Sequence, residues 1–173
     1  TIPLKDIATI IAETGMNRET RVLDSGLGSG GLAIAMANVC KEVISYEIRE
    51  EHQKTAEENI TAMGIKNITV KTKNIYEECE EKDIDVVTLD LPEPWKAINV
   101  VDKALKAGGW LISYSPSTTQ VQQFCNTLRE KENYLIPKAK RSQITIFVII
   151  AIIAVIIIGI FIIFINKNNL NPD

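Results

Sequence analysis

The stretch Asp24-Ser25-Gly26-Leu27-Gly28-Ser29-Gly30 decides the fold that we predict for this chain of 173 residues. It follows a short apolar run, Arg21 to Asp24, and precedes a run of small and apolar residues, Gly30 to Asn38. Glycines between a strand and a helix let the backbone turn tightly and approach a ligand closely, and the first N–H groups of the helix favour negative charge. The alternative is a tight turn without a ligand. The stretch therefore predicts a strand, a glycine-rich loop and a helix, with room for an anionic group beside the loop.

Strands and helices alternate along the chain on both sides of this loop. Short apolar runs predict strands at 21–24, 42–47, 67–71, 84–90 and 110–115. Helical patterns fall before, between and after them, at 6–13, 30–38, 50–63, 95–106 and 118–130, and the glycine pair 108–109 is interpreted as the stop of the helix 95–106. Such alternation is typical of a mostly parallel sheet with helices on both faces. We therefore predict an α/β, doubly wound, Rossmann-like fold.

Two classes of nucleoside cofactor fit the glycine-rich loop. Gly26, Gly28 and Gly31 satisfy the spacing of dinucleotide-binding enzymes, in which the loop meets a pyrophosphate. In methyltransferases the corresponding loop meets the carboxylate of a methionine. Glu47 ends the next predicted strand, where an acid would accept hydrogen bonds from both ribose hydroxyls in either class. The loop and Glu47 together predict a nucleoside cofactor and leave its class open.

The hexapeptide Asp90-Leu91-Pro92-Glu93-Pro94-Trp95 follows the fourth predicted strand. Ligands of open α/β sheets bind beyond the carboxyl ends of the strands, so Asp90 should face the same cleft as the glycine-rich loop. The two prolines restrict the backbone and hold this segment open without needing N–H partners. Trp95 could line a base pocket, although packing into the core is the safer interpretation of a single tryptophan. The hexapeptide therefore makes Asp90 the candidate reactive group.

These segments resemble the tRNA (adenine-N1)-methyltransferases that modify an adenosine of the T-loop. The hexapeptide is the most specific part of the resemblance, because the glycine-rich loop is common to many methyltransferases. The resemblance covers roughly residues 2–130 and implies the class I fold of enzymes that use S-adenosylmethionine. Its other parts are Pro3-Leu4-Lys5-Asp6, Asp24 to Gly31, Ser45-Tyr46-Glu47-Ile48-Arg49, and Tyr114-Ser115-Pro116 with Gln120-Val121.

The resemblance implies a set of cofactor-binding residues. Glu47 would bind the ribose hydroxyls, and His52 would lie beside the cofactor adenine, although an exposed helix histidine is at least as good an interpretation. Asn74 and Ile75 would sit at the cofactor base; many relatives carry Asp at the first position, where the Asn carbonyl oxygen can accept the same hydrogen bond. The full implied set is Gly26, Leu27, Gly28, Ser29, Gly30, Glu47, His52, Asn74, Ile75 and Asp90.

Asp90 is also the predicted catalytic residue. The implied reaction moves a methyl group from the cofactor sulfonium to adenine N1, and the protein mainly holds the two reactants in line. N1 becomes cationic as it attacks. A carboxylate that accepts a hydrogen bond from the exocyclic N6 would stabilise that charge and could take the proton.

Both ends of the chain differ from the family pattern. Members normally carry a small N-terminal β-domain that helps to grip tRNA, and they complete the sheet with two further strands after the helix that matches 118–130. Here only Tyr134-Leu135-Ile136 follows that helix. We therefore expect residues 1–136 to form a truncated domain whose last strands are missing, from a fused or mis-assembled reading frame or a degenerate copy. Family members typically form tetramers in which neighbouring subunits complete the tRNA site, so tRNA and further copies of the chain are the expected partners.

The end of the chain predicts a membrane anchor. Ile144 to Ile165 contains 22 residues and no charge. As a helix it would span about 33 Å, which matches a bilayer core. A buried core helix is the alternative. A basic linker, 137–143, precedes the span and a short tail, 166–173, follows it, so the positive-inside bias places the domain in the cytoplasm.

Charge limits the choice of substrate. Residues 1–137 carry a net charge of −6 and residues 138–173 carry +3. An acidic domain is a poor stand-alone binder of nucleic acid, which favours a second hypothesis, a methyltransferase for a small molecule or a protein. The third hypothesis is a membrane-anchored remnant without catalysis, and the fourth is a nicotinamide dehydrogenase, although nothing after Glu47 resembles a hydride-transfer site. The three cysteines lie far apart, without metal-ligand spacing, so no metal site is predicted.

Overall fold

The structure of the chain is a computed structural model, and it describes residues 2–131 and 133–136. The predicted linker 137–143, the predicted span Ile144 to Ile165 and the tail 166–173 lie outside these residues. Within the described range, no helix is both long and apolar enough to cross a bilayer.

Five parallel strands form one sheet at the centre of the described domain. The order across the sheet is β3-β2-β1-β4-β5, so the chain winds outward from β1 in one direction and then in the other. This arrangement confirms the predicted doubly wound, parallel α/β sheet. The strands are β1 Arg21–Ser25, β2 Glu42–Tyr46, β3 Ile68–Lys71, β4 Ile84–Leu89 and β5 Leu105–Ser113.

Helices connect the strands and cover the sheet. Gly15 ends the first helix with a φ of +61°, a left-handed conformation that glycine adopts without strain. Ser117 begins the last helix, where its side chain accepts a hydrogen bond from the N–H of Gln120 at 3.2 Å. The helices are α1 Leu4–Thr14, α2 Gly31–Ala37, α3 Glu50–Ala62, α4 Ile98–Val101 and α5 Thr118–Arg129, with a 3-10 turn at Pro94–Ala97.

Side chains of the central strands form the core beneath α2. Val22, Val43 and Val86 come from three adjacent strands and are almost completely buried. In a parallel sheet with helices on both faces, the strands are buried on both sides, so their sequences are nearly continuous apolar runs. The small residue Ala33 lets α2 lie close to the sheet, and Met36 fills the remaining space without any exposure. The core therefore fixes the start of α2, and with it the glycine-rich loop.

The prediction of one helix from Trp95 to Lys106 is wrong. The segment forms the 3-10 turn and the short α4, and β5 already begins at Leu105. The glycine pair 108–109, interpreted as a helix stop, instead lies in a bulge of β5, where the register with β4 shifts. Gly108 has a φ of +80°, and a Cβ on Gly109 would lie 2.9 Å from the Asp85 carbonyl oxygen. Glycines are therefore needed here because the bulged strand passes close to the β4 backbone.

The strand order creates a crevice at the carboxyl ends of β1 and β4. The connection after β1 leads to one side of the sheet, whereas β4 lies on the other side. Connections that diverge in this way leave a gap where open α/β sheets bind ligands. The glycine-rich loop follows β1, and Asp90 follows β4, so both predicted segments lie at this gap.

Candidate functional site

Gly26 lies where the ends of β1 and β4 meet. Its φ is +94°, and a Cβ there would overlap the carbonyl oxygen of Asp90 and lie 2.9 Å from the carbonyl carbon. The N–H of Asp90 donates to the Ser25 carbonyl oxygen at 2.9 Å, which holds the two backbones together. Only glycine fits such a close approach with positive φ. The spacing between the loop and Asp90 is therefore set by main-chain packing.

The rest of the loop is tied to its neighbours on both sides. The N–H of Gly30 donates to the Leu27 carbonyl oxygen at 2.8 Å, and the Gly30 carbonyl accepts from Ile34 at 2.8 Å at the start of α2. Asn59 of α3 donates to the Ser29 carbonyl oxygen at 2.9 Å. These bonds hold the loop in one shape beside the crevice.

Glu47 is a buried carboxylate at the end of β2, with 4% of its surface exposed. Its Oε1 accepts hydrogen bonds from the N–H groups of Ile48 and Arg49, both at 3.0 Å, and its Oε2 accepts from the N–H of Gly28 at 3.3 Å. Burial on its own would raise the pKa of Glu47. The hydrogen bonds from Arg49 and Gly28 outweigh burial, and the net effect lowers the pKa below its usual range. Glu47 is therefore an ionised acceptor within reach of the loop.

Two cavities open on either side of the Gly26–Asp90 contact, and both residues line both cavities. The first cavity has a volume of about 370 Å³, and the second of about 270 Å³. The first is lined by Leu27, Gly28, Ser29, His52 and Thr55 among others. The second is lined by Glu47, Ile48, Arg49, Asn74, Ile75 and Tyr76 among others. The two cavities therefore share Gly26 and Asp90 in their walls.

The structure brings most of the predicted cofactor residues to these cavities, but not Gly30. Gly30 is buried against Ala56 of α3, with a Cβ position 3.3 Å from the Ala56 Cβ, and lines neither cavity. Gly31 lines the first cavity in its place. Leu27 lines the first cavity and also belongs to the core cluster.

His52 and Asn74, which were both expected at the cofactor base, lie in different cavities. His52 lines the first cavity with Thr55, and its Nδ1 lies 3.6 Å from Glu47 Oε2. This nitrogen is buried and has no hydrogen-bond partner within residues 2–131 and 133–136. The Oδ1 of Asn74 accepts a hydrogen bond from the N–H of Tyr76 at 3.1 Å. The oxygen that was expected to accept from the cofactor base is therefore already partly occupied by a neighbouring backbone group. Ile75 is buried beside it, in the wall of the second cavity.

Asp90 lies at the edge of both cavities with an exposed side chain. Partial burial raises the pKa of its carboxyl group above the usual value. A carboxylate with a raised pKa is a better proton acceptor than an ordinary surface aspartate. The position and the basicity of Asp90 both suit a group that meets a reactant.

Two contacts from outside hold the hexapeptide that begins at Asp90. Gln120 of α5 donates through Nε2 to the Pro92 carbonyl oxygen at 2.8 Å, and the N–H of Glu93 donates to the Tyr76 hydroxyl at 3.3 Å. Trp95 is half-buried and lines neither cavity, which favours its interpretation as a packing residue. The sequence alone did not indicate that Tyr76 holds this segment.

Sequence reasoning also missed a buried polar network around Asp24. Ser45 and Thr88 donate to its two carboxylate oxygens, each at 2.7 Å, and all three side chains are buried. Burial raises the pKa of Asp24, although the two hydroxyl bonds act against it. The three residues stand at one register level of β2, β1 and β4. A polar residue at the next-to-last position of each of the three strands was the signal that could have revealed the network.

The fold and the site define a class of protein, the Rossmann-like methyltransferases that use S-adenosylmethionine. The residues present suit this cofactor, because Glu47 is a buried, ionised acceptor in one cavity and His52 Nδ1, in the other, has no hydrogen-bond partner among the described residues. Glycines of the loop line the walls of both cavities. Residues 2–139 match the family described as the tRNA methyltransferase complex GCD14 subunit, and the chain belongs to this family.

Similar proteins agree with this membership. The chain is 31% identical to the tRNA (adenine(57)-N(1)/adenine(58)-N(1))-methyltransferase TrmI of Methanocaldococcus jannaschii, over 73% of this chain and 56% of that protein. It is 38% identical to the tRNA (adenine(58)-N(1))-methyltransferase TrmI of Thermus thermophilus, over 68% of this chain and 48% of that protein. The chain thus spans about half the length of these curated relatives.

A solved structure is also similar to this chain. It is described as a SAM-dependent O-methyltransferase from Thermotoga maritima and superposes with a TM-score of 0.73 at 33% identity, covering 83% of this chain and 59% of that one.

Proposed function

We propose that the chain transfers a methyl group from S-adenosylmethionine to N1 of an adenosine in the T-loop of tRNA. The single observation that carries the proposal is the position of Asp90, at the edge shared by the two cavities and fixed against the glycine-rich loop. The names of the Methanocaldococcus and Thermus relatives support the choice of substrate.

The cofactor would be held by residues of both cavities. When bound, it supplies an electrophilic methyl group on a sulfonium that is also a good leaving group. The methionine part would be surrounded by Gly26, Leu27, Gly28 and Ser29. Glu47 would accept hydrogen bonds from the ribose hydroxyls. Asn74 and Ile75 would line the space for the base. His52 would contact the part of the cofactor that lies in the first cavity.

Asp90 would act on the substrate adenine. As N1 attacks, positive charge spreads to the exocyclic N6, and a carboxylate that accepts a hydrogen bond from N6–H stabilises that charge. The raised pKa of Asp90 makes it suited to take the proton afterwards. The backbone contact with Gly26 would keep this carboxylate at a constant distance from the cofactor.

Asp90→Asn tests this role. We expect methyl transfer to fall about 10²- to 10⁴-fold, because the amide cannot accept the proton. The readout is labelled methyl incorporation into unmodified tRNA, with adenine N1 verified in nuclease digests. S-adenosylhomocysteine binding, measured by calorimetry, should stay within about threefold of the parent value.

Glu57→Gln, on the exposed face of α3, is the control for removal of one negative charge. An Asp90→Asn protein that methylates tRNA as fast as this control would refute the catalytic role. If the parent binds S-adenosylhomocysteine but modifies neither tRNA nor any component of a protein or metabolite extract, the hypothesis of a non-catalytic remnant would replace it.

A second candidate function is methyl transfer to a small molecule or a protein. The net charge of −6 over residues 1–137 favours it, because an anionic domain repels an anionic substrate. The similar Thermotoga structure is described as an O-methyltransferase, so a closely similar fold is associated with a different class of substrate. Incubation of the parent with labelled cofactor, and in parallel with bulk tRNA, a protein extract and a metabolite extract, distinguishes the two candidates.

We also propose that several copies of the chain assemble around the substrate and that Ile144 to Ile165 anchors the domain at the cytoplasmic face of a membrane. Every copy is acidic overall, but assembly would bring Lys and Arg side chains of neighbouring copies together on one surface. Light scattering on the detergent-purified chain tests whether the copies assemble.

For the membrane anchor, we expect the chain to stay with the membrane pellet at alkaline pH, and release into the supernatant would contradict the anchor.

A further inference from the structure

Arg49 occupies hydrogen-bond acceptor positions of Glu47, the carboxylate that a cofactor ribose would need. Glu47 accepts three backbone N–H bonds, from Gly28, Ile48 and Arg49. It also accepts two bonds from the guanidinium of Arg49, Nε to Oε1 at 3.2 Å and Nη2 to Oε2 at 3.5 Å. A carboxylate offers about four lone-pair positions. Five donors therefore fill Glu47, and two ribose hydroxyls find no free acceptor position.

Only the guanidinium can leave without rearranging the backbone. The three N–H groups belong to the glycine-rich loop and to the residues just before α3, whose positions the fold determines. The Glu47 side chain is 3% exposed, whereas the Arg49 side chain is 55% exposed and lines the open second cavity. Because the Arg49 side of this pair is exposed, water can take over the hydrogen bonds of the guanidinium when it leaves.

We propose that Arg49 is a built-in competitor of the cofactor ribose for Glu47. Without cofactor the guanidinium neutralises the buried carboxylate; when cofactor binds, the ribose hydroxyls replace it and Arg49 turns toward solvent. This inference rests on the proposed use of S-adenosylmethionine and adds a residue that tunes its affinity.

The exchange has a consequence for the order of binding. A guanidinium that leaves Glu47 becomes a free cation at the rim of the second cavity, which Asp90 also lines. The net charge of the two side chains does not change, but the guanidinium is no longer paired with Glu47 and is free to attract an anionic substrate at this point of an acidic domain. The competitor therefore favours cofactor binding before the binding of a polyanionic substrate.

A purely structural role for Arg49 makes the opposite prediction. If the guanidinium only holds Glu47 in place, its removal should loosen the carboxylate and weaken cofactor binding. If Arg49 competes, its removal should strengthen binding, because the three backbone N–H groups still orient Glu47 and the guanidinium no longer occupies its oxygens.

Arg49→Met distinguishes these roles, with Arg18→Met as the matched control. Arg18 is an exposed arginine in the turn before β1, and within the described residues no ion pair or side-chain hydrogen bond involves it. Calorimetric titration with S-adenosylhomocysteine should give an Arg49→Met dissociation constant about two- to fivefold below that of the parent, and an unchanged Arg18→Met constant. Arg49→Lys, whose ammonium cannot span both carboxylate oxygens, should also bind more tightly and serves if the first variant does not fold.

A second measurement isolates the ribose. Adenosine and 2′,3′-dideoxyadenosine are compared as competitors of S-adenosylhomocysteine, and only adenosine should gain affinity in Arg49→Met. Equal gains for both nucleosides, or weaker binding of S-adenosylhomocysteine by both Arg49 variants, would overturn the competitor role alone. A parent that does not bind S-adenosylhomocysteine would overturn the cofactor assignment as well, so the two failures are distinguishable.

Discussion

Individual residues at this site are constrained by the main chain as much as by chemistry. Gly26 is a glycine because the Asp90 carbonyl occupies the place where a side chain would begin. Glu47 is ionised because backbone N–H groups and Arg49 donate to it, despite its burial. The acid proposed to hold the cofactor and the acid proposed to meet the substrate are thus placed by different means, hydrogen bonds for Glu47 and strand packing for Asp90.

Gly26→Ala tests the packing constraint at the scale of one residue. We expect a loss of at least about 2 kcal/mol in the free energy of unfolding, because the new Cβ adds a clash with Asp90 to the cost of a positive φ. Gly15→Ala is the matched control: its φ is +61°, but no atom lies within 4 Å of the Cβ position. It should lose only about 1 kcal/mol.

Urea unfolding measures both glycine variants, and titration with S-adenosylhomocysteine should show a defect only in Gly26→Ala. Equal destabilisation of the two variants would contradict the role given to the Asp90 contact.

At the scale of elements, the segment 90–95 is held by parts of the chain far from it in sequence. Its two prolines lack N–H groups, so its own backbone offers few hydrogen bonds. Gln120 of α5 and Tyr76, which follows β3, supply contacts from either side. The segment thus depends on the correct docking of α5 against the sheet.

Gln120→Leu should lower the rate of methyl transfer while leaving cofactor affinity unchanged. The variant loses a hydrogen bond worth about 0.5–1.5 kcal/mol, which converts to a rate loss of up to about tenfold if the bond positions Asp90. Gln123→Leu, on the exposed side of the same helix, controls for the change in polarity. Single-turnover rates and the dissociation constant of S-adenosylhomocysteine are the two measurements. A loss of cofactor affinity that matches the loss of rate would point to a general defect of the fold.

At the scale of the whole molecule, a buried carboxyl group joins the three central strands. Asp24 bridges Ser45 of β2 and Thr88 of β4 in the interior of the sheet. Because burial raises its pKa in the folded protein, the folded state holds this proton more tightly than the unfolded chain does. The associated stability is present at acid pH and is lost as pH rises through the folded pKa.

Asp24→Asn removes this pH dependence, because the amide cannot titrate and can still bond to both hydroxyls. Relative to the parent, the variant should gain stability as pH rises above the ordinary carboxyl pKa and keep that gain above the raised pKa of Asp24, which urea unfolding at several pH values would show.

Asp102→Asn should show the opposite trend. Burial alone would raise the pKa of Asp102, but bonds from Tyr134 and Lys131 lower it overall, so its stabilisation exists above the usual carboxyl range and is lost in acid. Parallel pH profiles for the two variants would contradict the assignment.

The sequence by itself determined the order of strands and helices, the glycine-rich loop, Glu47 and Asp90, because local periodicity and turn chemistry are encoded in neighbouring residues. It also predicted the crevice, since the carboxyl ends of parallel strands must meet at one edge of the sheet.

Only the tertiary structure decided contacts between distant segments. The close approach of β4 to β5 turned a predicted helix stop at 108–109 into a bulge, and it shortened the helix expected from Trp95. The same kind of contact separated His52 from Asn74, removed Gly30 from the cavity walls and placed Arg49 on Glu47. These outcomes depend on which backbones approach each other and which donors reach a buried carboxylate, and spacing along one chain does not contain that information.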